Sequence, residues 1–357
     1  MKYHKKMEKT DNPKVYFRDK RVLITGGLGM MGSSLAIDLI RWGAKVTLLD
    51  ALIEQYGANF YNIEKIKNSP NLQVIIADIR DKLAIEDSVK HKDIIFNLAG
   101  QVSHNDSLEN PLLDLDINYR GHVTVLEACL KNNRSAKIFY AGSRLQYGNT
   151  QRIPVDENHP RNPLTPYATN KNAAEDYSNY CHKRFGLKTV VFRIANPYGP
   201  RCQIKHNKYG IVNFFIKQAL EGNEIRIFGD GRQIRDYLYI DDLTKAFLFA
   251  AIPNQTNGEV YNVGSGVGIS FAEMASKIVS IVGKGKLKHV KWPAEYINVE
   301  TGDYISDIGK IQKHTGWNPS FSLEEGIRRT VEYYRSPQTR NRYLLPSQIF
   351  SPKSKFD

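Results

Sequence analysis

Six short apolar runs separated by amphipathic stretches constrain this chain more than any other feature of its sequence. The runs are RVLIT (21–25), KVTLLD (45–50), LQVIIAD (72–78), DIIFNLAG (93–100), AKIFYAG (136–142) and KTVVFRI (188–194). A strand with one wet face alternates apolar and polar residues, whereas a strand covered on both faces is apolar throughout. These runs are of the second kind, and stretches such as SSLAIDLIRWG and RGHVTVLEACLKNN between them carry helical periodicity. Strand and helix alternating at this spacing predict an α/β chain with a parallel, doubly wound sheet of Rossmann type over 20–195. Beyond residue 196 the rhythm breaks into Pro/Gly turns (NPYGPR, FGDGRQ, NVGSGVG), which predicts a smaller C-terminal α/β substrate-binding lobe over 196–335. Within it, DDLTKAFLFAA followed by EVYNVG (236–262 with its flank) is expected to return to the large sheet. At 357 residues the chain is long enough for two lobes with a cleft between them. Residues 1–19 and 336–357 read as basic tails, poorly ordered or docked on neighbours.

Net charge narrows the class of partner. The chain carries +13, but residues 1–21 hold eight Lys/Arg against three acids and residues 335–357 hold five against one. Nine of the thirteen charges therefore sit at the ends, and the body is only mildly basic. That balance suits a small dianionic ligand rather than a long polyanion, and no aromatic-basic stripe suggests nucleic-acid binding. No apolar run reaches membrane-spanning length, and the charged N-terminal residues lack a secretion signal. Cys129, Cys181 and Cys202 are too few and too scattered for a disulfide framework or a thiolate metal site, so they read as reduced thiols of a cytoplasmic protein with no metal.

Directly after RVLIT comes Gly26-x-x-Gly29-x-x-Gly32, with Met30 and Met31 inside the turn and a helix expected from about Ser33. A helix N-terminus offers unpaired N–H groups and a positive dipole, and residues without side chains let a pyrophosphate reach the backbone. Strand, glycine turn and helix in that order predict a dinucleotide site. Asp50 ends the next strand where an acid accepts hydrogen bonds from the adenosine ribose. A carboxylate there repels a 2′-phosphate, and no Lys or Arg occurs from 46 to 64 to neutralise one, so the cofactor expected is NAD. Asp78 and Ile79 follow the third strand, and Leu98-Ala99-Gly100 ends the fourth, where bulk would collide with a dinucleotide.

Pro166-Tyr167-Ala168-Thr169-Asn170-Lys171 opens a helix and puts Tyr167 and Lys171 on one face. A nearby ammonium and a nicotinium charge both favour phenolate, which would bring Tyr167 from its ordinary pKa of about 10 towards working pH as a general base. Tyr16–Lys20 and Tyr61–Lys65 repeat the spacing, but neither follows a strand whose end can face the nicotinamide. Ser143, at the exit of the fifth strand, is placed to hydrogen-bond the same substrate oxygen.

In these residues the chain resembles a nucleotide-sugar enzyme of the extended short-chain dehydrogenase/reductase family, from about residue 20 to 333. The resemblance rests on GGLGMMG, NLAG, AGSRLQYG, PYATNK, FRIANPYGPR, FGDGRQIRDYLYIDD and YNVGSG in that order. It implies catalysis by Ser143, Tyr167 and Lys171, with Lys171 also on the nicotinamide ribose and Pro197 against the nicotinamide. It also implies a nucleotide-diphosphate sugar as substrate, held by Gln101, Asn118, Asn196, Phe228 (at the base) and Arg235 (at the diphosphate). A second diphosphate arginine, usual in the resembling family, is missing: 292–309 contains no Lys or Arg, which leaves Arg201, Lys205 or Lys208 as substitutes. Arg144 stands either as a substrate contact to an acidic sugar substituent or as a solvated side chain. The shared first step of such enzymes is oxidation of the sugar at C4. Dehydratases of the family carry an Asp-Glu pair after the Ser/Thr, and decarboxylases a Glu two residues after it. Here Arg144-Leu145 occupies those places, so 4-epimerisation through a transient ketone is the expected outcome. Dehydration, decarboxylation, net oxidoreduction and a non-catalytic dinucleotide-binding protein remain as alternatives. The resemblance further implies a homodimer, with the Tyr167 helix in its interface.

Overall fold

A computed structural model describes residues 12–293 and 299–344 of the chain. Its strands are β1 (Arg21–Thr25), β2 (Lys45–Asp50), β3 (Leu72–Ile76), β4 (Ile94–Asn97), β5 (Lys137–Ser143) and β6 (Lys188–Ile194). After these come β7 (Asn196–Tyr198), β8 (Glu224–Phe228), β9 (Ile234–Tyr239), β10 (Glu259–Val263), β11 (Gly268–Ser270) and β12 (Lys286–Val290). Seven of them form one parallel sheet in the order β10-β6-β5-β4-β1-β2-β3, a Rossmann-type arrangement. All six apolar runs are strands of this sheet, and EVYNV joins it as β10 beside β6. The chain leaves β1 towards β2 and β3 on one side and towards β4, β5 and β6 on the other. This reversal opens a crevice at the strands' C-terminal ends, where open α/β sheets bind ligands. Two smaller sheets, β11-β9-β7 and β12-β8, stand beyond β6.

The buried strand faces explain the apolar runs. Phe96, Phe139 and Phe192 on neighbouring strands β4, β5 and β6 meet Phe247 of the Ile240–Ala251 helix, with ring centroids 4.6 to 5.9 Å apart. Such ring pairs contribute about 1 kcal/mol each beyond the area they bury. The expectation of burial on both faces fails for β3: it is one of the sheet's two edge strands, and Ile76 is 54% exposed.

One further expectation is corrected, and for the chain ends the structure shows one of the two alternatives. The helix after the glycine turn begins at Met30 rather than near Ser33, with Gly29 as its N-cap, so the glycines lie in the first turn itself. The chain ends that the structure describes are docked. Phe17, wholly buried, packs its ring 6.1 Å from Trp42, and the Tyr16 hydroxyl donates to the Ala251 carbonyl. At the other end, the Pro337–Leu344 helix is held by Tyr343, whose hydroxyl donates to Asn62 Oδ1 at 2.7 Å. Residues 1–11 and 345–357 lie outside the described residues. Among the described residues no helix is long and apolar enough to cross a membrane.

Candidate active site

A cleft of about 450 Å³ runs along the C-terminal edge of the sheet. Its first wall is the glycine turn. Gly26 has φ +65°, and a Cβ on Gly32 would lie 2.3 Å from the Gly26 carbonyl oxygen, so the turn closes only without side chains. Gly29, Met30 and Met31 line the cleft beside them. Asp50, at the end of β2, accepts backbone N–H bonds from Leu28 and Leu52, both at 2.9 Å. Burial raises its pKa and these two bonds offset part of the rise. Asp78 is gripped by the Arg80 side chain through two 2.8 Å bonds, which hold its carboxyl below the usual range. Ile79, Leu98, Ala99, Gly100 and Pro197 complete this half of the cleft. The narrow turn, the exposed helix start and the carboxylate after β2 fit a dinucleotide.

The second half holds Ser143, Tyr167 and Lys171. The helix Pro166–Phe185 begins where Thr165 caps it by accepting from the Ala168 N–H and Pro166 presets its first turn. Tyr167 and Lys171, one turn apart, both face β5. The Lys171 ammonium donates to the Ala141 carbonyl at 2.9 Å and lies 5.6 Å from the Tyr167 ring centroid. Ser143 ends β5 as a cap: its Oγ accepts from the Leu145 N–H, and its own N–H donates to Gln146 Oε1.

The electrostatics depart from the sequence expectation. Burial pushes the Tyr167 phenol up to about 12, and the hydrogen bond with Ser143 offsets only part of this. Burial likewise pushes Lys171 down to about 8, with the Asp114 carboxylate opposing. In the protein alone, desolvation therefore outweighs the Ser143 hydrogen bond and the Arg144 charge as influences on the phenol.

Five residues expected at the substrate, Gln101, Asn118, Arg201, Lys205 and Phe228, are not in the cleft wall. Asn118 sits behind Gly100 on a π-helical turn, donating to the Gln101 carbonyl and Asp114, while the Gln101 side chain turns to the Ser103 carbonyl. A Cβ on Gly100 would meet Asn118 Oδ1 at 2.8 Å and Lys171 Nζ at 3.3 Å, so Asn118 lies buried beside the catalytic lysine. Arg201 donates to Ser34 in the Met30–Arg41 helix, and Phe228 packs its ring 5.5 Å from Trp292. Asn196, Arg144 and Arg235 do line the cleft, as does Lys208, which pairs with Asp106 at 2.6 Å. The Arg144 Nε donates to Asn196 Oδ1 at 3.2 Å and its Nη1 to the Thr301 hydroxyl at 3.0 Å. The solvated reading of Arg144 is thus set aside. The Arg235 guanidinium is engaged by the Ile234 and Gly302 carbonyls and by the Glu300 carboxylate.

Sequence reasoning missed His104, Tyr237, Glu300 and Thr301, all in the cleft wall. Tyr237 was within reach, because strand alternation puts it on the same face of β9 as Arg235. Its hydroxyl is buried without a hydrogen-bond partner. His104 gave no signal: it is half-buried, and desolvation first, then the Arg144 charge, push its pKa down to about 4.

The description "NAD dependent epimerase/dehydratase family" matches residues 22–264. A UDP-glucose 4-epimerase of Mycolicibacterium smegmatis is 33% identical over 320 residues, covering 88% of this chain and 99% of the relative. A UDP-N-acetyl-alpha-D-glucosaminuronate decarboxylase of Bacillus cytotoxicus is 30% identical, covering 88% of this chain and 98% of the relative. Among solved structures, the UDP-glucose 4-epimerase of Thermotoga maritima with UDP-glucose superposes with a TM-score of 0.80 at 33% identity, over 88% of this chain and 98% of that one. Relatives of this extent, over a cleft of this construction, establish that the chain belongs to the NAD dependent epimerase/dehydratase family.

Proposed function

We propose that this enzyme is an NAD-dependent nucleotide-sugar 4-epimerase working through a transient 4-keto sugar. The observation that carries the reading is the identity of the two residues after Ser143. Arg144 and Leu145 line the cleft where dehydratases of the resembling family place an acid-base pair, so no carboxylate stands there to eliminate water. Epimerase relatives support the same reading.

The glycine turn and the N-terminus of the Met30–Arg41 helix would hold the cofactor pyrophosphate, and Asp50 the adenosine ribose. Bound there, NAD supplies a nicotinamide that accepts a hydride and returns it. Tyr167 takes the proton of the sugar 4-hydroxyl, and Ser143 hydrogen-bonds the same oxygen. The phenol stands at about 12 in the protein alone, so a positive charge arriving with the cofactor must add to that of Lys171 before it is an effective base. The ketone then turns and is reduced on its other face, Tyr167 returning the proton. Such a cycle consumes no cofactor. Asn196 and Arg235 would hold the diphosphate end. The three cysteines are buried and free, which suits a reducing cytoplasm, and the Tyr167 helix with its exposed Tyr180 and Phe185 would meet a second copy in a homodimer.

Tyr167→Phe keeps the ring and removes the proton acceptor. Its turnover should fall at least a thousandfold, in the range a general base contributes, with NAD affinity retained in equilibrium titration. Full activity in this variant would rule out the mechanism.

A further inference from the structure

The cleft holds two arginines that differ in what they are bound to. Arg235 makes three guanidinium hydrogen bonds within the protein, two to carbonyls and one to the Glu300 carboxylate that neutralises its charge. Arg144 donates only to an amide oxygen and a hydroxyl, both neutral, and among the described residues it makes no ion pair. It lies over the Tyr304 ring at 5.5 Å, next to Ser143 in sequence and hydrogen-bonded to Asn196, just past the neighbouring strand end. A half-buried guanidinium with no ion-pair partner among the described residues, close to a second guanidinium, is an arrangement that an anion relieves.

We propose that Arg144 is the cleft's principal guanidinium for the substrate diphosphate, taking the place of the second arginine that the segment 292–309 lacks. This rests on the nucleotide-sugar reading above. Glu300 stands in that segment beside Thr301 and occupies Arg235, while Arg144 reaches Thr301 from the end of β5. The positive charge has moved from the late segment to the catalytic strand's exit. A diphosphate diester carries two negative charges, and with Glu300 paired to Arg235, Arg144 supplies the unbalanced positive charge it meets. The same guanidinium excludes the acid that dehydration would need at this position, so one residue both binds the substrate and restricts the reaction. Burial and Arg235 together push its pKa down to about 10, which leaves it charged at neutral pH.

The test uses the full chain saturated with NAD, titrated by calorimetry with UDP, CDP, GDP and dTDP, and then with the glucose and glucuronate conjugates of the diphosphate that binds. Arg144→Met should weaken the diphosphate and both conjugates alike, by at least tenfold, with NAD affinity unchanged. Arg144→Lys should recover part of the loss. Glu300→Gln, which frees Arg235, should tighten the diphosphate severalfold. Unchanged diphosphate affinity in Arg144→Met would overturn the proposal, and loss confined to the glucuronate conjugate would overturn it too, by assigning the guanidinium to a sugar carboxylate. If the wild type bound none of the four diphosphates, the nucleotide-sugar reading itself would fail and the proposal with it.

Discussion

Burial decides the charge of single residues in this protein, and it does so most visibly at its histidines. His122 is wholly buried, its ring bonded to Asn97 and Ser178 and lying 4.0 Å from the Tyr140 ring. Desolvation, with Lys171 adding to it, pushes its pKa down to about 3. Between about 6.5, where a free histidine titrates, and 3, the unfolded chain takes up a proton that the folded chain refuses, so stability falls as pH falls through that window. The slope for one such proton is about 1.4 kcal/mol per pH unit. His122→Gln should therefore show a shallower loss of Tm between pH 6.5 and 4.5 than the parent; parallel curves would contradict the buried neutral state. At this scale the sequence was legible where chemistry dictates type and place, as for Ser143, Tyr167, Lys171 and Asp50. It misled where a neighbour intervenes. The Gln101 side chain turns to the Ser103 carbonyl, and Arg201 is taken up by Ser34, a relation between distant segments that no local pattern carries.

Elements were legible in proportion to their periodicity. Continuous apolar runs identified the strands of the large sheet, because burial on both faces leaves no polar alternation to confuse the reading. β3 departs because a sheet must have an edge, and the sequence does not announce which strand takes it. The helix start was displaced by three residues for a related reason: glycines read as turn, yet here they are its cap and first turn. This makes a sharp prediction. A Cβ at Gly32 would meet the Gly26 carbonyl at 2.3 Å, whereas one at Gly29 would meet it at 3.4 Å, an ordinary contact. Gly32→Ala should cost about 1–3 kcal/mol, as overpacking does, and abolish NAD binding. Gly29→Ala should leave stability within about 0.5 kcal/mol. Equal Tm values for the two variants would show that the turn tolerates side chains it has no room for.

At the scale of the whole molecule, the charge excess at the ends spoke for tails, while burial of Phe17 and Tyr343 shows their inner parts fastened to the sheet's surroundings. Self-association belongs to this scale as well. If the Tyr167 helix meets a second copy, light scattering should return twice the 40.7 kDa of the chain, and Tyr180→Glu should shift it to the monomer; a monomeric parent would remove the dimer. The activity itself is the property of the assembled cleft, and its decisive measurement is direct. The protein, with NAD at a hundredth of the nucleotide sugar concentration, should convert the sugar to its 4-epimer as followed by NMR, to equilibrium and without accumulating NADH. A 6-deoxy-4-keto product, released carbon dioxide, or conversion that stops when the NAD is spent would contradict the account.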